Sequence, residues 1–433
     1  MNAFEAMGQA ITLLTSSWDP WIVVIPGLLV GLLGAALPGI SGSLTMALCL
    51  PFTLYMDFLT AMMFMTSVYT GGGFGGAVPA ILINIPGTPA AVATAFDGYP
   101  MARAGRHNEA LGLGLCASVF GMIISYVILI AFVAPMATLV LKLGPTEMLV
   151  IVLWGLTLIA TLRGGSITKG LIAGLLGLLI GSIGIGTRGD IRGTMGFDLL
   201  LDGIPAIPAM LGLFAAGELF NTVHASYLVE KAEVRRPDIR GIWSGVVATF
   251  RYPATLIRGS LLGAWIGALP GVGSSVANLV SYSDARRRAG NPDSFGKGDP
   301  RGLVAAESAD SSAEGGSMAT LLALGLPAGG GTAVLLGAFA MHNINGGPRF
   351  LSEQPDLVYA ILFGAMSHGF ILLPVGIAFI YMASAIVKIP NRLLVPTVIV
   401  LSVFGTFTMT GTTMGPIVLT VFAISGGLAA FGG

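Results

Sequence analysis

Charges in this chain are bunched, with long uncharged stretches between them. No Asp, Glu, Lys or Arg lies between Asp57 and Asp97, and none occurs in residues 110–141, 259–283, 315–348, 357–387 or 393–433. About 20 apolar residues in helical form cross ~30 Å of hydrocarbon, and these stretches equal or exceed that length. Shorter runs at 148–162, 170–187 and 203–217 suit crossings whose ends reach the interface. The pattern predicts an all-α polytopic membrane protein with about ten to twelve membrane-embedded segments.

Composition narrows the picture further. Of 433 residues, 10% are charged and 54% are hydrophobic, against ~25% charged in an ordinary soluble domain. Too few polar groups exist to cover a globule of this size in water. The 21 basic and 21 acidic residues cancel, leaving no net field to attract a polyanion, so nucleic-acid binding is excluded. Cys49 and Cys116 sit in apolar stretches without metal-ligand spacing, and a disulfide framework is excluded with them. Before the first apolar run there are only Glu5 and Asp19. A cleaved signal peptide would carry a basic leader instead. The polar interruptions at 230–240 and 284–301 are too short to fold as soluble domains.

The two halves resemble each other. Residues 34–43 read GAALPGISGS and residues 266–275 read IGALPGVGSS; residues 75–88 read GGAVPAILINIPGT and residues 316–329 read GSMATLLALGLPAG. The extra residues of the later copy fit in the 284–301 loop. The expected organisation is a first membrane half at 1–229, a basic connecting segment at 230–258 and a second membrane half at 259–433. Lys231, Arg235, Arg236, Arg240, Arg251 and Arg258 precede the second PG motif, and no basic residue precedes the first. Conversely, Arg103 and Arg106 follow the first half's second motif, where the later half has only Arg349. Because basic loops stay cytoplasmic, opposite biases predict repeats inverted across the membrane, a layout of secondary transporters.

Each half has two interruptions by Pro and Gly, at 38–43, 84–89, 270–275 and 327–332. Broken backbone at membrane depth is tolerated only against protein or a wet cavity, so the four breaks, with Pro38, Pro86, Pro270 and Pro327, are expected to converge. Free N–H groups at one new helix end favour an anion and free carbonyls at the other favour a cation. Ser41, Ser43, Asn84, Thr88, Ser274, Ser275, Asn278 and Thr332 would add side-chain hydrogen bonds to a substrate. Small residues at such positions also serve close helix packing alone. Glu307, Asp310 and Glu314 share one helix face next to an uncharged run. They read either as carboxylates solvated at a membrane boundary or as an ion-coupling site for sodium or protons. Asp57 reads as a loop residue, and His368 as a proton relay or a hydrogen-bonded packing residue. Met62, Met63 and Met65 read as lipid- or core-facing filler, and the stretch 393–433 holds no recognisable chemistry.

At these motifs the chain resembles the TctA family, the large membrane subunit of tripartite tricarboxylate transporters. The likeness rests on LPGISGS at 37–43, GGAVPAILINIPGTP at 75–89, ALPGVGSSVAN at 268–278, KGDPRGLVAAESADSSAEGG at 297–316 and LGLPAGGGTAVLLGA at 324–338. It covers nearly the whole chain in order. The resemblance implies a multi-pass carrier in the bacterial inner membrane that imports citrate-like or other carboxylates on a cation gradient. It implies a periplasmic solute-binding protein and a small TctB-like membrane subunit as partners, and no cofactor beyond a coupling sodium ion. Family members usually show neighbouring asparagines where this chain has Asp310 and Ser311, and the added carboxylate bears on ion choice and substrate. Ending inside an apolar run at Gly433 is what a missing terminal segment would give.

Two rival readings remain in the residues themselves. Gly39, Ile40, Ser41 and Gly42 fit the GxSG pattern of intramembrane serine proteases, with His368 as the imaginable base. The repeat's counterpart, residues 271–274, reads GVGS, which makes the feature part of a duplicated element and the enzyme reading unfavoured. A channel for small anions would conduct without saturation, where a carrier saturates and exchanges.

Overall fold

The computed structural model describes residues 3–37, 41–140, 167–185, 190–205, 237–386 and 391–431, with isolated positions in 142–153 and 208–213. Nearly all of it is helix. Among the described residues the strands are one antiparallel pair, Gly184–Ile185 with Ile191–Arg192. The first half runs α1 (Ala3–Ser16), α2 (Asp19–Ile22), α3 (Val24–Ala36), α4 (Gly42–Cys49), α5 (Phe58–Gly75), α6 (Ala77–Ile83), α7 (Val92–Met101) and α8 (His107–Val140), followed by α9 (Ile167–Gly181). The second runs α10 (Ile239–Thr249), α11 (Pro253–Gly267), α12 (Gly273–Arg288), α13 (Pro300–Leu324), α14 (Gly330–Met341), α15 (Pro348–Glu353) and α16 (Pro355–Ile386), then α17 (Asn391–Thr410) and α18 (Met414–Phe431). Stretches within 19–36, 89–136 and 355–382 are long and apolar enough to cross a membrane, and four shorter apolar helices accompany them.

Charges at the edges of the apolar runs start helices. Asp57 accepts from the Thr60 amide at 3.1 Å and caps α5. Asp238 caps α10 through the Gly241 amide, and Asp299, followed by Pro300, caps α13. A carboxylate satisfies amides that the first helical turn leaves free, and proline at the first position loses nothing there. The later part of the connecting segment is therefore helical, in α10 and the first turns of α11; residues 230–236 lie outside the described ones.

The element order of the first half recurs in the second. Helices α3, α4, α5 with α6, α7 and α8 have counterparts in α11, α12, α13, α14 and α16. Even the ends agree, because Asn84 closes α6 and Gly325 closes α13, each left-handed, with φ 60° and 69°. Within each half the equivalent pair packs backbone to backbone. Gly31 of α3 faces Val68 and Gly72 of α5, and Gly263 of α11 faces Ala309 and Ser312 of α13. A Cβ on Gly263 would stand 2.0 Å from Ser312 Oγ. Small residues permit this approach, which is how helices associate where lipid removes the hydrophobic drive.

The last turns of α5 meet the middle of α13, the two running in reversed directions. Thr70 bonds to Glu314 at 2.9 Å, while Gly73 faces Ser311. The motif alignment makes Ser311 the counterpart of Thr70 and Glu314 that of Gly73, so each contact is the image of the other under a two-fold axis. The long helix α8 lies parallel to α13, with Ser118 beside Glu307 and Tyr126 beside Glu314. Its counterpart α16 packs on α5 through Gly364 and Met63, and runs antiparallel to α8, with Gly369 at Met122 and Gly376 at Leu115. Likewise α7 packs on α12 and α13, and α14 packs on α4 and α5. The repeats are thus inverted and interlocked, each half's later helices covering the other half's broken ones.

One consequence is a sorting of charge. The starts of α8, α11 and α13 and the end of α12 share one end of the molecule, where Arg103, Arg106, Arg251, Arg258, Arg286, Arg287, Arg288, Lys297 and Arg301 outnumber Asp97, Glu109, Asp284, Asp293 and Asp299. The opposite end, where α3, α5 and α16 start, carries Asp19, Asp57, Glu353 and Asp356 with Arg349. Between them the core is mostly apolar; Met62, Met63 and Met65 are all buried in it.

Candidate functional site

The three acids of α13 sit in the middle of the helix, and the protein encloses them. Glu307, Asp310 and Glu314 are 0%, 4% and 5% exposed. This corrects the reading of carboxylates solvated at a membrane boundary. Helices α5, α7, α8, α11 and α12 all pack against α13, so the acids face protein even though an apolar run follows them in sequence.

Hydroxyls supply their hydrogen bonds. Thr94 and Ser118 both donate to Glu307, the latter at 2.9 Å. These two residues reach one carboxylate because α7 and α8 form a hairpin, reversing at Gly105. Thr70 and Tyr126 each donate to Glu314 at 2.9 Å. Asp310 lies within reach of the Ser274 hydroxyl, while its Oδ2 is buried without a partner. Among the described residues no Lys or Arg pairs with any of the three. Sequence reasoning found the acids from their helical spacing. It missed Thr70, Thr94, Ser118 and Tyr126, which lie singly in apolar runs and give no periodic signal.

Around this ladder stand the helix breaks. Pro38, Gly39 and Ile40 lie outside the described residues, so the first break is seen from Ser41 onward. Ser41 caps α4, accepting from the Leu44 amide at 3.1 Å, and its hydroxyl is 3.2 Å from that of Ser43. Ser43 meets Gly330 at the start of α14, and Gly329 meets Gly273 at the start of α12. The Gly271 amide donates to Ala328 O at 3.0 Å, joining the breaks that hold Pro270 and Pro327. After Pro86, residues 89–91 pack on α12 and α13. The N-termini of α4, α12 and α14 therefore converge.

The other predicted site residues fall into distinct settings. Ser274 and Ser275 open α12 and are half-buried. Asn84 is exposed at its left-handed cap, and Thr88 is half-buried. Asn278 is fully buried; it accepts from the Ala93 amide at 3.0 Å and donates to Ala306 O at 3.1 Å. Thr332 is also fully buried, accepting from the Ala328 and Gly329 amides and donating to Gly329 O. Both are occupied in holding breaks and neighbouring helices together. His368 is fully buried, and neither ring nitrogen has a hydrogen-bond partner among the described residues. That corrects the expectation of a hydrogen-bonded packing histidine, and no Ser41–His368 hydrogen bond joins the GxSG serine to a base.

A second carboxylate binds the halves together. Asp97 of α7 is fully buried and accepts from the amides of Gly296, Gly298 and Asp299 at 2.8–2.9 Å. Tyr282 donates to its other oxygen at 2.9 Å. The 284–301 loop of the second half is thereby anchored to a helix of the first.

Inverted repeats, converging helix breaks and a buried acidic ladder define an all-α polytopic membrane protein with its chemistry at the meeting of two halves. The chain belongs to the Tripartite tricarboxylate transporter TctA family, which matches residues 21–432. It is similar to an uncharacterised 52.8 kDa protein in the TAR-I ttuC' 3' region of Agrobacterium vitis, 32% identical over 384 residues, or 88% of this chain and 76% of that one. An uncharacterised protein of the TAR-II ttuC' 3' region of the same organism is 31% identical over 147 residues, 34% of this chain and 61% of its own length. No solved structure matches. Membership makes the protein a component of a tripartite tricarboxylate transporter; the family is one of transporters, not of enzymes.

Proposed function

We propose that this chain is the translocating subunit of a secondary carrier that imports citrate-like or other carboxylates, driven by cations moving with the substrate. One observation carries the reading: three half-helix N-termini converge beside a buried acidic ladder that has no basic partner among the described residues. Helix N-termini present free amides and a positive dipole end, a setting for a carboxylate substrate, with Ser41, Ser43, Ser274 and Ser275 at hand and Asn84 and Thr88 at the neighbouring break. Unpaired negative charge enclosed by protein is costly. Glu307, Asp310 and Glu314 therefore call for positive charge from solution, sodium or protons, and Asp310 has an oxygen free to receive it. As the family's tripartite organisation suggests, a periplasmic solute-binding protein delivers the substrate to this subunit in the bacterial inner membrane, and a small TctB-like membrane subunit accompanies it.

The test is uptake of labelled carboxylates into vesicles holding the membrane subunits, with the binding protein outside and a sodium or proton gradient imposed. Uptake should rise with one of the two gradients, and Asp310→Asn should abolish that dependence at equal protein level. Exchange indifferent to both gradients would overturn coupled transport.

A further inference from the structure

At the basic end of the molecule, the end of α12 and the starts of α11 and α13 enclose a cavity of about 100 Å³. Arg258, Arg288 and Arg301 line it, with Ser281 and Asp284. Arg301 is held by Asp299, and Arg288 by Asp284 at 2.9 Å. Arg258 forms no ion pair among the described residues, and the lining keeps an excess of positive charge. The cavity is the size of one small anionic group, far below that of a metabolite site of ~300 Å³ or more.

Next to it, between α11 and α12, an apolar groove of about 450 Å³ shares Leu262 and Asp284 with the cavity. Leu262, Leu279 and Val280 line this groove together with Ser283, Asp284 and Arg287. A free inorganic anion would need the arginines alone. Arginines that open onto an apolar trough at a membrane helix end fit a molecule with a charged head and a hydrocarbon tail.

We infer that this is a binding site for an anionic phospholipid, its phosphate among Arg258, Arg288 and Arg301 and an acyl chain along Leu279 and Val280. The site is separate from the acidic ladder and stands whether or not transport is cation-coupled. Basic pockets at helix ends recruit such headgroups, and by the positive-inside bias this end faces the cytoplasmic leaflet.

The experiment counts lipids retained by the purified protein in detergent, by native mass spectrometry. The lipids offered are phosphatidylglycerol and phosphatidylcholine of identical chains, with inorganic phosphate as competitor. Phosphatidylglycerol should be retained in preference. Arg258→Gln and Arg288→Gln should each weaken its retention roughly fivefold, and Leu279→Trp, which fills the groove, should weaken it while leaving the protein monodisperse. Equal retention of both lipids overturns the inference. So does displacement of phosphatidylglycerol by millimolar phosphate, or retention unchanged in all three variants.

Discussion

Asp97 reads in sequence only as the charge that ends an uncharged run, yet it is a joint between halves. A carboxylate accepting several amides makes charge-assisted bonds, each stronger than a neutral one. Asp97→Asn keeps the volume and loses the charge, so it should cost about 2 kcal/mol and free the 284–301 loop. Limited trypsin digestion at Arg286, Arg287 and Arg288 should then speed up several-fold; an unchanged cleavage rate would refute the anchoring role. The same contrast governs the candidate site. The acids of α13 were legible because carboxylates at one helical spacing stand out in apolar sequence. Their burial was not, because it depends on which helices cross α13, and those helices come from distant parts of the chain. Asn278 and Thr332 were legible as polar residues at breaks, but their commitment to Ala93, Ala306, Ala328 and Gly329 depends on tertiary contacts.

At the scale of elements, proline and glycine marked the breaks, because both disturb a helix locally. Even the exact stop at Asn84 and Gly325 follows from residues that tolerate a left-handed cap. Where a glycine sits at a helix contact, however, periodicity does not separate it from a glycine facing open space. Gly263 and Gly177 make the comparison. Gly263→Leu would drive a side chain into Ser312 and Ala309 and push α11 off α13, so little folded protein should be recovered. Gly177 of α9 has nothing within 4 Å of an added Cβ, and Gly177→Ala should stabilise that helix by about 0.5–1 kcal/mol. Thermal unfolding in detergent measures both; a folded, wild-type-like Gly263→Leu protein would show that the close approach is dispensable.

For the molecule as a whole, the inversion was legible from a handful of arginines, while the interlocking was not, since periodicity within a helix is silent about its partner. The pseudo-two-fold axis passes close to the contact of Thr70 and Gly73 with Glu314 and Ser311. Points on an axis of exchange move least. A Gly73→Cys, Ser311→Cys disulfide should therefore leave uptake largely intact; the native Cys49 and Cys116 are both buried. A Ser43→Cys, Gly330→Cys cross-link, off the axis, should arrest uptake until a reductant is added. Identical behaviour of the two cross-links would exclude motion about this axis. Interlocking also shapes how the chain is made. When α8 leaves the ribosome, the helix it must cover has not been synthesised, and Ser118 and Tyr126 have no carboxylate to meet. These cross-half contacts can form only after translation passes Glu314, so the first half enters the bilayer before the helix it covers exists.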